Sequence, residues 1–240
     1  MARVPDKIRI LKRQDVFSIL MLYLVSTPIG NLKDITYRAV ETLKNSELIL
    51  AEDTRRTSIL LNEYSIQAKL ESYNDNNKLY KTKKVVELLK SGMEISLVSD
   101  NGTPGISDPG FYLVRECVKN SIKACPIPGP CAAIAAISCS GLPTDSFSFY
   151  GFLPKKEKKK NDFFENITKR DETIIVYESP HRIKKTIELL AKAMPERNIV
   201  IARELTKKFE EFICGSSADV FEKIKNRDIK GEIVLLIGKE

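Results

Sequence analysis

Short apolar runs alternate with stretches of helical spacing along this 240-residue chain, and no other feature constrains the fold as much. LYLVS (22–26) reads as a strand and is followed by a Pro/Gly loop. Residues 35–45 then put Ile35, Ala39, Val40 and Leu43 on one helical face. LILA (48–51), KLESY (69–73), EISLVS (94–99) and IKACPIP (122–128) read as further strands. Helices are predicted up to Tyr64, over about 77–90, near 109–120 and over PCAAIAAISCS (130–140). A strand that returns through a helix pairs in parallel with its neighbours, because a parallel connection needs a crossover. The first half is therefore predicted to be an α/β domain on a mostly parallel sheet.

GLPTDS (141–146) gathers Gly, Pro and Asp, and the texture changes after it. It is read as the boundary between an N-terminal α/β domain, 21–142, and a C-terminal α/β domain, 143–240. FSFYGFL (147–153) is a strand of alternating aromatics, so Tyr150 and Phe152 are expected in the core, with base stacking as the alternative. The lysine run KKEKKK (155–160) precedes a helix to about 168. TIIVYES, NIVIAREL, FEEFICG and GEIVLLIG read as strands with a helix after the first and a short one before the last. This predicts a smaller mixed sheet with helices.

Composition excludes several classes. An apolar fraction of 42% with 30% charged residues fits a folded core. A basic stretch to Arg13 and the apolar run from Val16 imitate a secretion signal, but no small-residue cleavage site follows. Residues 1–20 are read as an extension ahead of Met21. No run of 18 apolar residues is present, so no membrane span is expected. Five cysteines without a CxxC pair, and one histidine, argue against a metal site and for reduced cytoplasmic thiols that serve packing. The net charge of +7 suits an RNA partner without demanding one.

In open α/β sheets, ligands sit beyond the carboxyl ends of the strands. Five segments leave strands there: STPIGNLKD (26–34), AEDTRRT (51–57), SDNGTPGISDPG (99–110), PIPGPCAAIAA (126–136) and YESPHR (177–182). In the longest, Gly102, Gly105 and Gly110 permit close backbone approach to a ligand, and Pro104 and Pro109 stiffen the loop. Neither GxGxxG nor GxxxxGK[ST] occurs, which disfavours a dinucleotide dehydrogenase and a P-loop phosphotransferase. Ala132 and Ala133 open a helix whose free amides and small side chains let a flat group lie close, or let the helix pack tightly on a sheet.

Taken in order, these motifs resemble the tetrapyrrole methylase superfamily of S-adenosylmethionine-dependent methyltransferases. More narrowly, they resemble its ribosomal small subunit methyltransferase I branch, which methylates a cytidine 2′-hydroxyl near the decoding centre. The resemblance spans about Leu22 to Lys239. It implies a two-domain fold, a homodimer, a cytoplasmic location, a ribosomal RNA or small-subunit substrate, and S-adenosylmethionine folded in an interdomain cleft. By motif, the cofactor would meet Pro28, then Asp100, Gly102, Thr103, Pro104, Gly105 and Ser107. It would also meet Pro130, Ala132, Ala133, Tyr177 and Glu178. Two departures stand out. In YNDNN (73–77), Asn74 and Asn76 stand where members often carry histidines, so roles of those histidines do not transfer, whereas Asn77 is retained. Many members also continue past the final strand into a helical region, and RNA contacts made there are expected to be missing or supplied otherwise.

For methyl transfer to a hydroxyl, the catalytic candidates are His181, Glu52, Asp53 and Asn31. Ser179 as cap and Pro180 at the first position would place His181 in the first turn of a helix, to accept a proton or contact phosphate. Glu52 and Asp53 end a strand and point to opposite faces, so at most one faces the cleft easily, and Asp53 is equally suited to cap the next helix. Asn31 either orients the acceptor ribose or shapes a turn. Arg55, Arg56, Asn77 and Arg182 are candidate RNA contacts, the first two pairing alternatively with the adjacent carboxylates. Lys155, Lys156, Lys158, Lys159 and Lys160 are a candidate RNA-backbone patch, or a solvated loop. Two rival readings remain open at this point: a methyltransferase of a tetrapyrrole or other small acceptor, and a catalytically silent RNA-binding assembly factor.

Overall fold

The structure is a computed structural model that describes residues 20–239; the extension read over 1–20 lies, Leu20 apart, outside the described residues. The first sheet comprises β1 (Met21–Val25), β2 (Leu48–Ala51), β3 (Lys69–Ser72), β4 (Ile95–Val98) and β5 (Lys123–Ile127), in spatial order β3-β2-β4-β1-β5. Every pairing in it is parallel. All residues of β2 and β4 are buried, as expected for strands covered on both faces. The covering helices are α1 (Tyr37–Asn45), α2 (Thr54–Glu63), α3 (Lys78–Lys90) and α4 (Phe111–Lys119). The helix expected from residue 35 begins at Tyr37 because Thr36 caps it, accepting from the Ala39 amide; a 3-10 turn, Leu32–Asp34, occupies the loop before it.

This strand order determines where a ligand can sit. From β1 the chain runs toward β2 on one side, and from β4 it runs toward β5 on the other. β1 and β4 are neighbours, so their carboxyl-end loops diverge and leave a crevice, the topological switch point of such sheets. Thr27 and Gly102 bridge it, exchanging N–H···O bonds of 2.9 and 3.1 Å.

The second sheet comprises β6 (Phe147–Phe152), β7 (Thr173–Glu178), β8 (Asn198–Arg203), β9 (Glu211–Ser216) and β10 (Ile233–Ile237), in order β6-β7-β10-β8-β9. It is mixed, with β6 parallel to β7 and the other pairings antiparallel, and it has as many strands as the first. Helices α6 (Glu157–Ile167), α7 (Pro180–Ala193) and α8 (Ser217–Ile224) pack in this half. β6 is an edge strand with a register shift between Phe149 and Phe152, and none of its residues is fully buried. The expectation that Tyr150 and Phe152 are core residues therefore fails: they are 40% and 60% exposed.

α5 (Ala132–Cys139), assigned from sequence to the first domain, shares a core cluster with the second sheet. Ala133, Ala136 and Ile137 meet Ile175, Val200, Ala202, Val234 and Leu236 there. Its small residues let helix and sheet approach closely, which fixes the two halves against each other. The cysteines diverge from the packing expectation. Only Cys117 is buried, while Cys139 at the end of α5 and Cys214 on edge strand β9 are exposed. Among the described residues no helix is long and apolar enough to cross a membrane.

Candidate active site

A cavity of 420 Å³ opens where the β2 and β4 loops face α5 and the second sheet, within the range for small-molecule sites. Glu52, Asp100, Thr103, Ser107 and Asp108 line its first-sheet side. Cys131, Ala132, Tyr177, Ser179 and Glu232 line the other. The 99–110 loop is held from below. Thr103 Oγ1 donates to the Pro130 carbonyl at 3.1 Å and contacts Ser26 Oγ at 3.1 Å. Thr27 Oγ1 donates to the Ser99 carbonyl at 3.2 Å, and Ser99 Oγ to the Gly102 carbonyl at 3.2 Å. Gly102 adopts φ +86°, a conformation that glycine adopts freely.

The cavity is acidic. Asp100 Oδ1 accepts the Asp53 amide at 2.9 Å, and its Oδ2 lies 3.6 Å from Arg56. Burial, then the charges of Glu52 and Asp100, pushes Asp108 up to about 6 against the opposing Ser99 hydrogen bond. Burial, then the Asp100 charge, raises Glu52. Burial raises Tyr177, whose ring lies edge-on to Phe149 and Phe152.

A pH dependence follows from Asp108. Its folded pKa lies above its unfolded one, so between about 4 and 6 the folded state binds more protons. The associated stability is complete below pH 4 and is lost as pH rises through 6. Asp108→Asn should therefore be more stable than wild type at pH 7.5, by an amount on the order of 2 kcal/mol, with the gap closing near pH 4. Urea unfolding of both proteins across that range checks this; parallel profiles would refute it.

Of the residues singled out from sequence, Glu52, Arg56, Asp100, Gly102, Thr103, Ser107, Ala132, Tyr177 and Glu178 meet at the cavity. Pro28 lines an adjoining cavity instead. Pro104 and Gly105 lie in the loop away from the lining, the Pro130 carbonyl holds Thr103, and Ala133 is buried in the helix–sheet contact.

The remaining candidates are held in structural contacts or lie outside the lining. Asp53 caps α2, and its hydrogen bonds with Arg55 hold it down to about 2, a poor base. Arg55 is itself taken up in that pair, while its side chain stays 89% exposed. Asn31 caps the 3-10 turn through the Lys33 amide. His181 is exposed in the first turn of α7, outside the cavity. Asn77 braces the β3–α3 turn, donating to Ser72 and accepting the Asn74 amide. The Glu178 carboxylate is fully buried and spent on Lys160, Arg182, Thr186 and the Ser179 amide, so only the rest of the residue borders the cavity. Arg182 is correspondingly paired, and donates also to the Leu153 carbonyl. The lysine run does not wholly precede α6: its last four residues, from Glu157, form the first turn of the helix. Lys160 therefore falls on the face shared with Phe164 and Ile167 and is buried; only Lys155, Lys156, Lys158 and Lys159 remain exposed. Sequence reasoning missed Asp108, although it lies in the 99–110 loop, and Glu232, which immediately precedes β10 and carries no local signal of a place at a cavity.

Residues 21–220 match the family model described as Tetrapyrrole (Corrin/Porphyrin) Methylases. A Buchnera aphidicola (subsp. Schizaphis graminum) protein named Ribosomal RNA small subunit methyltransferase I is 49% identical over 222 residues, covering 90% of this chain and 78% of that one. A Hydrogenobaculum protein of the same name is 48% identical, covering 91% and 96%. Among solved structures, a cobalt precorrin-4 methyltransferase of cobalamin biosynthesis superposes with TM-score 0.67 at 16% identity, covering 92% and 95%. Uroporphyrin-III-C-methyltransferase from Thermus thermophilus gives 0.62 at 18%, covering 91% and 94%. These two similarities show the fold. The chain belongs to the tetrapyrrole methylase family and, within it, to the group of ribosomal RNA small subunit methyltransferase I proteins.

Proposed function

We propose that this protein transfers a methyl group from S-adenosylmethionine to the ribose 2′-oxygen of a cytidine in the decoding region of small-subunit ribosomal RNA. In this reading it works in the cytoplasm as a homodimer, with domains 21–142 and 143–240 on either side of the cleft. The observation that carries the chemistry is the acidic cavity at the β1/β4 switch point. Its size suits a cofactor of that kind, and Glu52, Asp100 and Asp108 favour a cation such as a sulfonium. The names of the close relatives support the RNA acceptor.

When bound, S-adenosylmethionine supplies an electrophilic methyl group. The chain's contribution is to hold the acceptor in line, an effect worth up to about 7–11 kcal/mol. Gly102, Thr103 and Ala132 shape the seat, and Tyr177 with Phe152 closes its apolar side. Glu52 is the best-placed proton acceptor among the four catalytic candidates, because it alone lines the cavity. A positioned base contributes about 10²–10⁴-fold, so Glu52→Gln should lower kcat by about 10²-fold. His181→Ala should leave kcat within about twofold of wild type, as expected for an exposed side chain outside the cavity. A large loss in His181→Ala with Glu52→Gln fully active would reverse the two assignments. Exposed Lys155, Lys156, Lys158 and Lys159 follow Phe152 at the cavity mouth and suit RNA backbone, with affinity falling as salt rises.

The decisive experiment supplies labelled S-adenosylmethionine and small ribosomal subunits that lack 2′-O-methylation, then maps the label by nuclease digestion. Label on a decoding-region cytidine ribose is the expected result. Label on a base, or on a precorrin but not on RNA, would overturn the reading.

A further inference from the structure

We propose that a second cavity, beside the cofactor cleft, seats the acceptor nucleotide, with the base against Pro28, Leu32 and Ile59 and the phosphate at Arg56 and Lys207. The inference rests on the RNA-methyltransferase reading above and gives it an acceptor site.

The cavity measures 360 Å³ and lies between the β1 loop, α2 and the segment after β8. Arg56, Asp100, Asn101 and Glu232 line both cavities, so the two adjoin along a common wall. A group seated in the second can reach into the first past Asp100. The chemistry of the walls divides in the way a nucleotide requires. Pro28, Leu32, Ile59 and Leu60 form an apolar side, and Ile59 is 63% exposed there with no apolar partner required by the core. Arg56, 3.6 Å from Asp100, and Lys207, paired with Glu204 and Glu232, are the cations at this cavity, so a phosphate must compete with those carboxylates for them; Ser99 and Asn101 add hydrogen-bonding groups.

The segment carrying Lys207 holds two non-glycine residues in left-handed backbone. Glu204 and Thr206 adopt φ +51° and +65°, and for a β-branched threonine that is an outlier. Thr206 Oγ1 is buried without a hydrogen-bond partner. The segment presses on Gly30 of the β1 loop so closely that a Cβ there would lie 2.5 Å from Lys207 Cγ and 2.9 Å from Thr206 Oγ1. A network holds it in place. Lys207 Nζ donates to Glu204 at 3.0 Å and to Glu232 at 2.9 Å. Asn101 Nδ2 donates to Glu232 at 3.2 Å, and the Glu232 amide to Glu204 at 3.0 Å. Strain of this kind, over-determined by its surroundings, collects at functional sites. What it achieves here is placement: it sets an ammonium from the second sheet at the rim of a cavity built by the first. Burial lowers the Lys207 pKa, but its hydrogen bonds to Glu232 and Glu204 outweigh that and raise it, so the ammonium stays charged.

The test uses cytidine 3′,5′-bisphosphate as probe, titrated into the full chain by calorimetry, with S-adenosylhomocysteine as the control ligand. Lys207→Gln and Ile59→Glu are compared with wild type, and the exposed Ile59 variant covers the case in which Lys207→Gln does not fold. Each should weaken the probe by about tenfold or more and leave the control within about twofold. On unmethylated small subunits, KM should rise by a similar factor with kcat little changed. Probe affinity unchanged in both variants, displacement of the probe by S-adenosylhomocysteine, or no binding at millimolar probe would overturn the proposal. If the probe binds with the stated Lys207 dependence but wild type methylates no subunit, the nucleotide seat stands and the ribosomal reading falls.

Discussion

Gly102→Val is expected to abolish cofactor binding while both sheets stay folded. Gly102 has φ +86°, and its N–H and C=O pair with Thr27 across the crevice between β1 and β4. Thr27 and Ser99 hydroxyls also converge on its carbonyl. A side chain there would put Cβ 3.4 Å from Ile29 Cγ2 and 3.6 Å from the Pro130 carbonyl, so a single methyl fits but valine's γ-carbons collide. Left-handed backbone costs a non-glycine residue about 1–3 kcal/mol, and a β-branched one toward the upper end. The cheapest relief is rotation of the peptide, which breaks the Thr27 pair and displaces Asp100 and Thr103 on either side. S-adenosylhomocysteine affinity should fall by about 100-fold or more, equivalent to roughly 2.7 kcal/mol. The midpoint of thermal unfolding should fall by only about 4–8 °C, because the site lies in a loop rather than in a sheet. Gly102→Ala should show an intermediate loss. Calorimetry alongside circular dichroism melts decides the matter. Near-normal affinity in the valine variant would mean that the loop backbone does not shape the seat.

The elements legible in the sequence were those whose signal is local. β2 and β4 are buried on both faces and read as unbroken apolar runs. The loop at the switch point is dense in Gly and Pro because its backbone must turn there. The acidic pair Glu52–Asp53 lies just beyond the end of β2, one residue lining the cavity and the other capping α2. What stayed illegible depends on distant partners. Glu232 joins the cavity wall through Asn101, 131 residues earlier in the chain. Tyr150 and Phe152 alternate like core residues, but β6 is an edge strand and a register shift re-aims its end. Lys160 looked like part of a solvated run, and only the start of α6 at Glu157 turns it inward.

That inward lysine carries the other large effect: Glu178→Ala should destabilise the protein by about 3–5 kcal/mol. The Lys160 and Glu178 side chains are 5% and 0% exposed. Glu178 Oε2 accepts Lys160 Nζ at 3.3 Å and Thr186 Oγ1 at 2.8 Å. Its Oε1 accepts the Ser179 amide at 2.7 Å and Arg182 at 2.6 Å. Removing the carboxylate strands an ammonium beside Phe164 and Ile167 with only the Thr186 hydroxyl for company. Domains hold only about 5–15 kcal/mol in total, so a loss of that size should lower the melting midpoint by roughly 10 °C or more. Lys160→Met should cost less, because Arg182, Thr186 and the Ser179 amide still satisfy the carboxylate. Lys160→Met combined with Glu178→Leu removes the buried Lys–Glu pair together and leaves Arg182, 24% exposed, to solvent and the Leu153 carbonyl; replacing a buried pair by apolar residues is often near neutral. The double variant should therefore be more stable than Glu178→Ala. Chemical denaturation of the four proteins ranks these losses. Equal losses in Glu178→Ala and the double variant would show that the stranded charge is not the cost. In that case the loosened Ser179 turn, which walls the cavity, would be the cause, and cofactor affinity rather than stability would be the property that Glu178 controls.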